Sequence, residues 1–304
     1  MQTFIDMQQP KNIKCPICGE NQFDYVTTCT DYFTTKETFK IIRCKSCNFT
    51  LTSDIPKPNE IAKYYDSNDY ISHSNTSKGF INSLYHYVRS FMLKRKCNLV
   101  NTSNNKKAGK LLDYGAGTGL FIKSIKEYKW DAIGIEINRH ARENAKSWYN
   151  IDLIDSTEWN IIEDESLDTI TMWHVMEHVI ELDNLWGCLN KKLKKEGKLI
   201  VALPNIDSYD AKHYGKYWAA YDVPRHVWHF SSLTFTRLAS EKGFRVDKIK
   251  RMPFDGFYIS MLSEKNKNKK LSIFKGVFHG AIGYIKALFN KRRSSSLIYI
   301  LSKK

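Results

Sequence analysis

The sequence predicts a doubly wound α/β domain preceded by a small module built around four cysteines. Three observations carry this. An apolar run ends in an acid and a glycine-rich turn, Lys110-Leu-Leu-Asp-Tyr-Gly-Ala-Gly-Thr-Gly119, and helical spacing follows from Leu120 to Lys129. Strand-like runs and helical stretches then alternate toward residue 250. Near the N-terminus stand two C-x-x-C pairs, 25 residues apart. The chain has 304 residues, 42% of them hydrophobic and 13% aromatic, which is ample material for a core and excludes wholesale disorder.

Residues 1–55 form the cysteine module. Cys15 and Cys18 can present two thiolates from one tight turn, with Gly19 letting the backbone fold back, and Cys44 and Cys47 repeat the arrangement. The stretch between them alternates at Phe23, Tyr25, Val26, Phe39 and Ile41 like short strands. Two such knuckles make a closed tetrahedral site for a structural Zn²⁺ with no position left for substrate. Disulfides are the competing reading. The odd total of seven cysteines and the lack of a secretory pattern in Met1–Lys11 argue against them.

Residues 56–108 read as a linker and a helical cover. Pro56 and Pro58 mark the linker, and Phe80, Leu84, Val88, Phe91, Met92 and Arg95 fit a helical stripe. The α/β body spans 109–304. Its glycines fall at 115, 117 and 119, and Leu120 occupies the third glycine position of a dinucleotide fingerprint. An acid at the strand end repels pyrophosphate and suits an ammonium group. The strand Asp131–Ile137 places a second acid, Glu136, where it can accept both hydroxyls of a ribose. Together the two acids describe a nucleoside joined to an amino acid.

With these motifs the sequence resembles the class I S-adenosylmethionine-dependent methyltransferases over roughly residues 109–250. The resemblance implies a Rossmann-like sheet of order 3-2-1-4-5-7-6, strand 7 antiparallel, with S-adenosyl-L-methionine as cofactor. The implied cofactor residues are Asp113, Tyr114, Gly115, Ala116, Gly117 and Gly119 of the loop, Glu136 and Ile137, Asp155 or Ser156 after a third strand near Ile151–Ile154, and His174. Asp113 would hold the amino group, the glycine backbone the methionyl end, and Glu136 the ribose. The segment Glu60–Val100 would cover the donor pocket, with Tyr70 and His86 as conceivable members.

Later motifs keep the family's order. Ser166–His178 resembles the fourth strand and its turn, Leu185–Lys195 a helix, and Glu196–Asn205 the fifth strand. His174, Glu177 and His178 spell H-x-x-E-H, a peptidase pattern that requires one continuous helix; here a strand-like run feeds it. Quinone-biosynthesis O-methyltransferases bind a divalent cation at this place but show an acid where His174 stands. The plainer reading has Glu177 and His178 bracing the turn while His174 lines the cofactor pocket.

Tyr221-Asp-Val-Pro-Arg-His-Val-Trp-His-Phe230 lies between the fifth strand and the helix Ser231–Lys242, capped by Ser231 or Ser232. Such a loop overhangs the carboxyl end of the sheet. His226 is the expected general base, His229 the second choice, and Arg225 the group that orients an anionic substrate. A buried loop latch is the alternative. The segment resembles one in small-molecule methyltransferases that carry an N-terminal zinc module.

Phe244–Ile249 and Ser296–Leu301 alternate as the last two strands, and the resemblance implies a helical insertion at 252–294. Between them Ile273, Phe274, Val277, Phe278, Ala281, Ile282, Ile285, Leu288 and Phe289 share one helical face, with Lys275, His279, Lys286 and Asn290 on the other and Lys291-Arg-Arg293 following. That suits peripheral membrane contact through 271–293, a pocket lid or a dimer contact. The net charge of +15 is concentrated here: residues 241–304 hold 16 Lys+Arg against 4 Asp+Glu. Codon bias toward Lys, Asn and Ile is the bland explanation of the same excess.

The expectation is a cytoplasmic methyltransferase, with contact to the inner face of the membrane, acting on an O, C or N acceptor of a small molecule, sugar derivative or lipid precursor. A zinc-containing RNA methyltransferase is one alternative, although Trp173–Met176 replaces the N/D-P-P-Y signature of base-amine methylation. A non-catalytic docking protein is the other, and the intact glycine loop argues against it. Oligomeric state is left open.

Overall fold

The computed structural model describes residues 13–57, 60–65, 80–267 and 272–304. Pro58, Tyr70 and the Met1–Lys11 segment lie outside the described residues, as does the side chain of His86.

The N-terminal module is an antiparallel sheet of β1 (Phe23–Thr30), β2 (Thr38–Cys44) and β3 (Thr50–Thr52). The long helix α1 (Phe80–Ser103) leads into β4 (Lys110–Tyr114), α2 (Leu120–Lys126), β5 (Asp131–Ile135) and α3 (Arg139–Tyr149). Then come β6 (Leu167–Trp173), α4 (Leu182–Lys192), β7 (Leu193–Pro204), α5 (Tyr209–Tyr214), β8 (Trp228–His229), α6 (Ser232–Glu241) and β9 (Phe244–Met252). The hairpin of α7 (Asp255–Lys267) and α8 (Ser272–Phe289) precedes β10 (Ser296–Lys303).

The main sheet has the order β5-β4-β6-β7-β10-β9, with β10 antiparallel to both neighbours. Relative to the expected 3-2-1-4-5-7-6, the third strand is reduced to a single parallel bridge, Ile135 to Ile154. The first β7 residues, Leu193 to Lys195, were expected to be helical. Leu193 instead pairs with Leu167, so the helix stops at Lys192.

Alternation along the strands of the main sheet feeds a core on each of its faces. Leu112, Ile170, Leu199, Val201 and Tyr299 face α4 and α6 through Trp186 and Phe235. Leu111, Ile200, Ala202, Ile298 and Ile300 face α1 and α2 through Val100, Phe121 and Ile122. The first core continues into the cysteine module at Ile17, Phe23, Ile42, Phe49 and Leu51. Moreover, β8 pairs with β3, Thr50 opposite His229 and Leu51 opposite Trp228, so the 221–230 loop supplies the module's fourth strand.

The insertion is a closely packed hairpin. A Cβ at Gly276 would stand 2.4 Å from Met261 Cα, and one at Gly280 2.8 Å from Phe257 Cα, so only glycine allows the two backbones this approach. Gly276→Ala is expected to destabilise the protein by roughly 1–3 kcal/mol, because the clash is with backbone that must shift. A urea midpoint equal to wild type would show the hairpin able to part without cost.

Candidate functional site

Each glycine of the loop after β4 has left-handed φ, +79° at Gly115, +55° at Gly117 and +76° at Gly119, which reverses the chain between strand and α2. A Cβ at Gly115 would strike Val175, whereas among the described residues nothing lies within 4 Å of one at Gly117. The space over Gly117 is therefore open to a ligand on the carboxyl side of the sheet.

Asp113 ends β4 almost completely buried, accepting a 2.6 Å hydrogen bond from Thr171 Oγ1. Burial raises its carboxyl to about 7 despite that bond and the nearby Lys96 ammonium. Lys96, on α1, sits 4.6 Å from the Trp173 ring centroid and near both Asp113 and Asp255, and burial lowers its pKa. A buried acid short of countercharge is a receptor for a second cation.

Glu136 follows β5 and is also buried. Its Oε2 accepts from Gly117 N–H at 2.8 Å and its Oε1 from Asn138 N–H at 2.9 Å, which leaves lone pairs for two hydroxyls. Ile137 beside it is 76% exposed, an apolar surface at the mouth. Asp155 follows the Ile154 bridge and pairs with Arg142 at 2.9 Å, and Arg142 also donates to the Glu136 carbonyl. Ser156 is half-buried next to it. Tyr114 stacks on Trp159, and Ala116 is buried in the second core. The Asp113 and Glu136 carboxylates at the carboxyl end of neighbouring strands fit, by their chemistry, a nucleoside that carries an ammonium group.

The opposite edge is the turn after β6. His174, at φ +60°, has Nδ1 3.3 Å from Glu177 Oε1 and Nε2 3.8 Å from Asp255 Oδ2. Burial disfavours its charged form, but the two carboxylates outweigh burial and raise its pKa. Glu177 is 1% exposed, and among the described residues its carboxylate has no well-aligned hydrogen-bond donor, His174 Nδ1 being its near neighbour. Ligand atoms of Glu177, His178 and His226 lie within 4.8 Å of one another, close enough to relay a proton or to hold one divalent cation.

The 221–230 loop closes over this turn, Val227 N–H donating to the Glu177 carbonyl and Trp228 Nε1 to that of Val179. His226 Nδ1 donates to Ala220 O at 2.8 Å, so its Nε2 keeps a lone pair. His178 Nδ1 likewise donates to Arg225 O at 3.1 Å.

Arg225 and His229 point elsewhere than the sequence suggested. The Arg225 guanidinium is buried, with Nε on Asp222, Nη1 on Thr34 Oγ1 and the Tyr64 carbonyl, and Nη2 on Asp31 and Asp222. Its donors are consumed by Asp222 of the same loop, by the Tyr64 carbonyl, and by Thr34 and Asp31 of the cysteine module, which leaves none for an anionic substrate. His229 is buried beside Thr52. The Thr52 hydroxyl donates to the His226 carbonyl and so accepts from His229 Nε2 at 2.9 Å. Both side chains fasten the loop to the module, the latch arrangement.

Burial, with His226 nearby, lowers His178 to about 4, and burial lowers His229 to about 3. Both values lie below the roughly 6.5 of an unfolded histidine, so the unfolded chain takes up about two protons first. Stability from these rings is therefore present above pH ~6.5 and lost as pH falls toward 4. A urea midpoint that stays flat between neutrality and mild acid would contradict this.

The four cysteines come together as expected. Cys15 and Cys47 sulfurs are 3.4 Å apart and those of Cys18 and Cys44 3.5 Å, and all four sulfurs lie within 4.8 Å. None is in a disulfide. Gly19 and Asn48 take the left-handed position in the two knuckles. Burial pushes the Cys15 thiol up to about 11, a cost that a bound dication reverses, so the cluster could hold Zn²⁺.

Lys96 and Asp255 were not legible beforehand. Lys96 reads as one more basic residue on a polar-faced helix, and Asp255 as the start of an insertion. Their approach to Asp113 and His174 is a long-range event with no local pattern.

A family model described as a methyltransferase domain matches residues 85–249. Among solved structures, a SAM-dependent methyltransferase from Archaeoglobus fulgidus shares 20% identity over 71% of this chain and 94% of its own, with a TM-score of 0.48. A putative sarcosine dimethylglycine methyltransferase from Galdieria sulphuraria shares 16% over 71% and 86%, TM-score 0.50. A cyclopropane synthase from Mycobacterium tuberculosis shares 14% over 68% and 83%, TM-score 0.45. None of the curated proteins compared matches the sequence. Matched over more than half its length, the chain belongs to the methyltransferase domain family, as a class I S-adenosylmethionine-dependent methyltransferase.

Proposed function

We propose that this enzyme transfers the methyl group of S-adenosyl-L-methionine to an oxygen or carbon acceptor on a small molecule, sugar derivative or lipid precursor, and that its four cysteines hold a structural Zn²⁺. The observation that carries the donor reading is the buried, undercompensated Asp113 at the end of β4, beside the open space over Gly117 and the Glu136 carboxylate. Asp113 binds the donor's ammonium, Glu136 its ribose hydroxyls, and Ile137 and Tyr114 the apolar surroundings of its base. The bound sulfonium supplies an activated methyl, so the protein need only align the acceptor and remove its proton.

His226 is the proton acceptor in this reading. Its Nδ1 is committed to the Ala220 carbonyl, and its Nε2 has Asp222 Oδ2 at 3.9 Å and Glu177 close by to stabilise the imidazolium that forms. His174, held by Glu177 and Asp255, lines the path between donor and acceptor. An O–H or activated C–H acceptor needs such a base, whereas a free amine does not.

Calorimetry with S-adenosylmethionine tests the donor site. Asp113→Ala and Glu136→Ala should each weaken binding by about 1.5–3 kcal/mol, the worth of a charge-assisted hydrogen bond. Wild-type protein that does not bind the donor, or variants that bind as wild type, would defeat the reading. His226→Ala should lower kcat roughly 100-fold or more without changing donor affinity. A fully active variant would move the base elsewhere. Labelled methyl transfer into extracted metabolite, lipid and RNA fractions identifies the acceptor class, and labelling confined to RNA would overturn the one proposed.

A further inference from the structure

The face of α8 that packs against α7 is made of small residues. Gly276 and Gly280 meet α7 backbone, Gly283 meets Tyr209, and Ala287 is buried. The large apolar side chains therefore point away from the protein. Phe274 is 78% exposed, Phe278 63% and Phe289 89%, and Ile273, Val277, Ile285 and Leu288 are exposed on the same arc. Soluble monomers seldom leave a contiguous apolar surface of this kind uncovered.

Its rim is basic. Lys275 and Lys286 edge the arc, Lys291, Arg292 and Arg293 follow its C-terminal end, and all five are exposed. Among the described residues none of the five forms an ion pair with a carboxylate. From residue 265 to the last residue, 304, the sequence contains no acid at all. A second copy docked face to face would therefore set like charges against like, whereas an anionic surface would neutralise them. Among the described residues no helix is long and apolar enough to cross a membrane. An amphipathic helix with aromatic residues on its apolar face and cations at its edge fits the plane of the interface instead.

We propose that α8 docks this enzyme on an anionic lipid bilayer, burying Phe274, Phe278 and Phe289 among the acyl chains while Lys291, Arg292 and Arg293 meet the headgroups. The hairpin begins at Asp255, which borders His174, and Phe254 just before it packs against Tyr284 of α8. Docking therefore sets the crevice beside the lipid surface, within reach of an amphiphilic acceptor. The docking stands independently of the donor and acceptor readings.

Full-length, metal-loaded protein without donor is sedimented with vesicles of phosphatidylcholine alone and of phosphatidylcholine mixed with phosphatidylglycerol. Wild type is expected to pellet with the mixed vesicles, weakly with the neutral ones, and less as salt rises. Phe274→Glu with Phe278→Glu, and separately Lys291→Glu with Arg292→Glu and Arg293→Glu, should each weaken the partitioning roughly tenfold or more. All five side chains are exposed, so urea midpoints close to wild type are expected and serve as the folding control. Wild type remaining in the supernatant overturns the proposal. So does the aromatic pair pelleting like wild type, which would reduce the effect to diffuse charge. A dimer in light scattering that the aromatic pair dissociates, with no vesicle binding, assigns the face to a second copy.

Discussion

Chelating the Zn²⁺ proposed for the four-cysteine cluster, or replacing Cys44 by Ser, is expected to unfold far more than the N-terminal module. Four sulfurs within 4.8 Å cannot all stay ionised without a cation, and closed thiolate sites contribute on the order of 10 kcal/mol to folding in isolated zinc peptides. Here that contribution is not confined to the module. Ile17, Phe23, Phe49 and Leu51 share a core with Phe230, Phe235 and the main sheet, and β3 pairs directly with β8. Loss of the metal should therefore remove the strand that holds the 221–230 loop and displace His226 from Glu177. The expected result is a large fall in the urea midpoint together with loss of turnover, and one equivalent of zinc in the purified wild type. A Cys44→Ser protein with a wild-type midpoint and full activity would show that the cluster carries no metal of consequence.

Arg225→Ala should cost about 3–5 kcal/mol, the usual penalty for breaking a buried charge pair from one side. Asp31 and Asp222 would lose their shared cation, and the Thr34 hydroxyl and Tyr64 carbonyl a hydrogen-bond donor. Burial alone would raise the pKa of Asp31, but backbone N–H groups and Arg225 hold it below the usual carboxylate range, so the ionised acid is left stranded when the guanidinium goes. Arg225→Lys should recover little, since one ammonium cannot span Asp31, Asp222 and the Tyr64 carbonyl together. The measurement is the urea midpoint beside steady-state kinetics. An unchanged midpoint with a raised acceptor KM would restore Arg225 as an anion clamp and remove it as a latch.

The parts of the protein that were readable in the sequence are those whose function needs neighbours in the chain. Asp113 and the glycines at 115, 117 and 119 lie within seven residues of one another, because a strand, a left-handed turn and a helix start must be contiguous. The two cysteine knuckles are local for the same reason, as is the Ser231 cap with its Thr234 capping box. The third strand was overestimated because a short run such as Ile151-Asp-Leu-Ile154 looks alike whether it pairs along its length or at one residue.

What chain-local pattern could not supply is partner choice. Arg225, His226 and His229 stand together in the loop, yet the first and last bind the cysteine module while the middle one meets Glu177 and His178. No spacing rule separates them, since their partners at Asp31, Thr52 and Glu177 lie far away in the chain. The α8 stripe shows the same limit. Its apolar periodicity was evident, but glycines at 276 and 280 allow the opposite face to seat against α7, which turns the large side chains outward. By itself the sequence determined the fold family, the glycine loop and the four-sulfur cluster, because short-range backbone geometry demands particular residues at particular spacings. Only the tertiary structure decided which charges are buried together and which apolar face is left uncovered, because those depend on packing between distant segments.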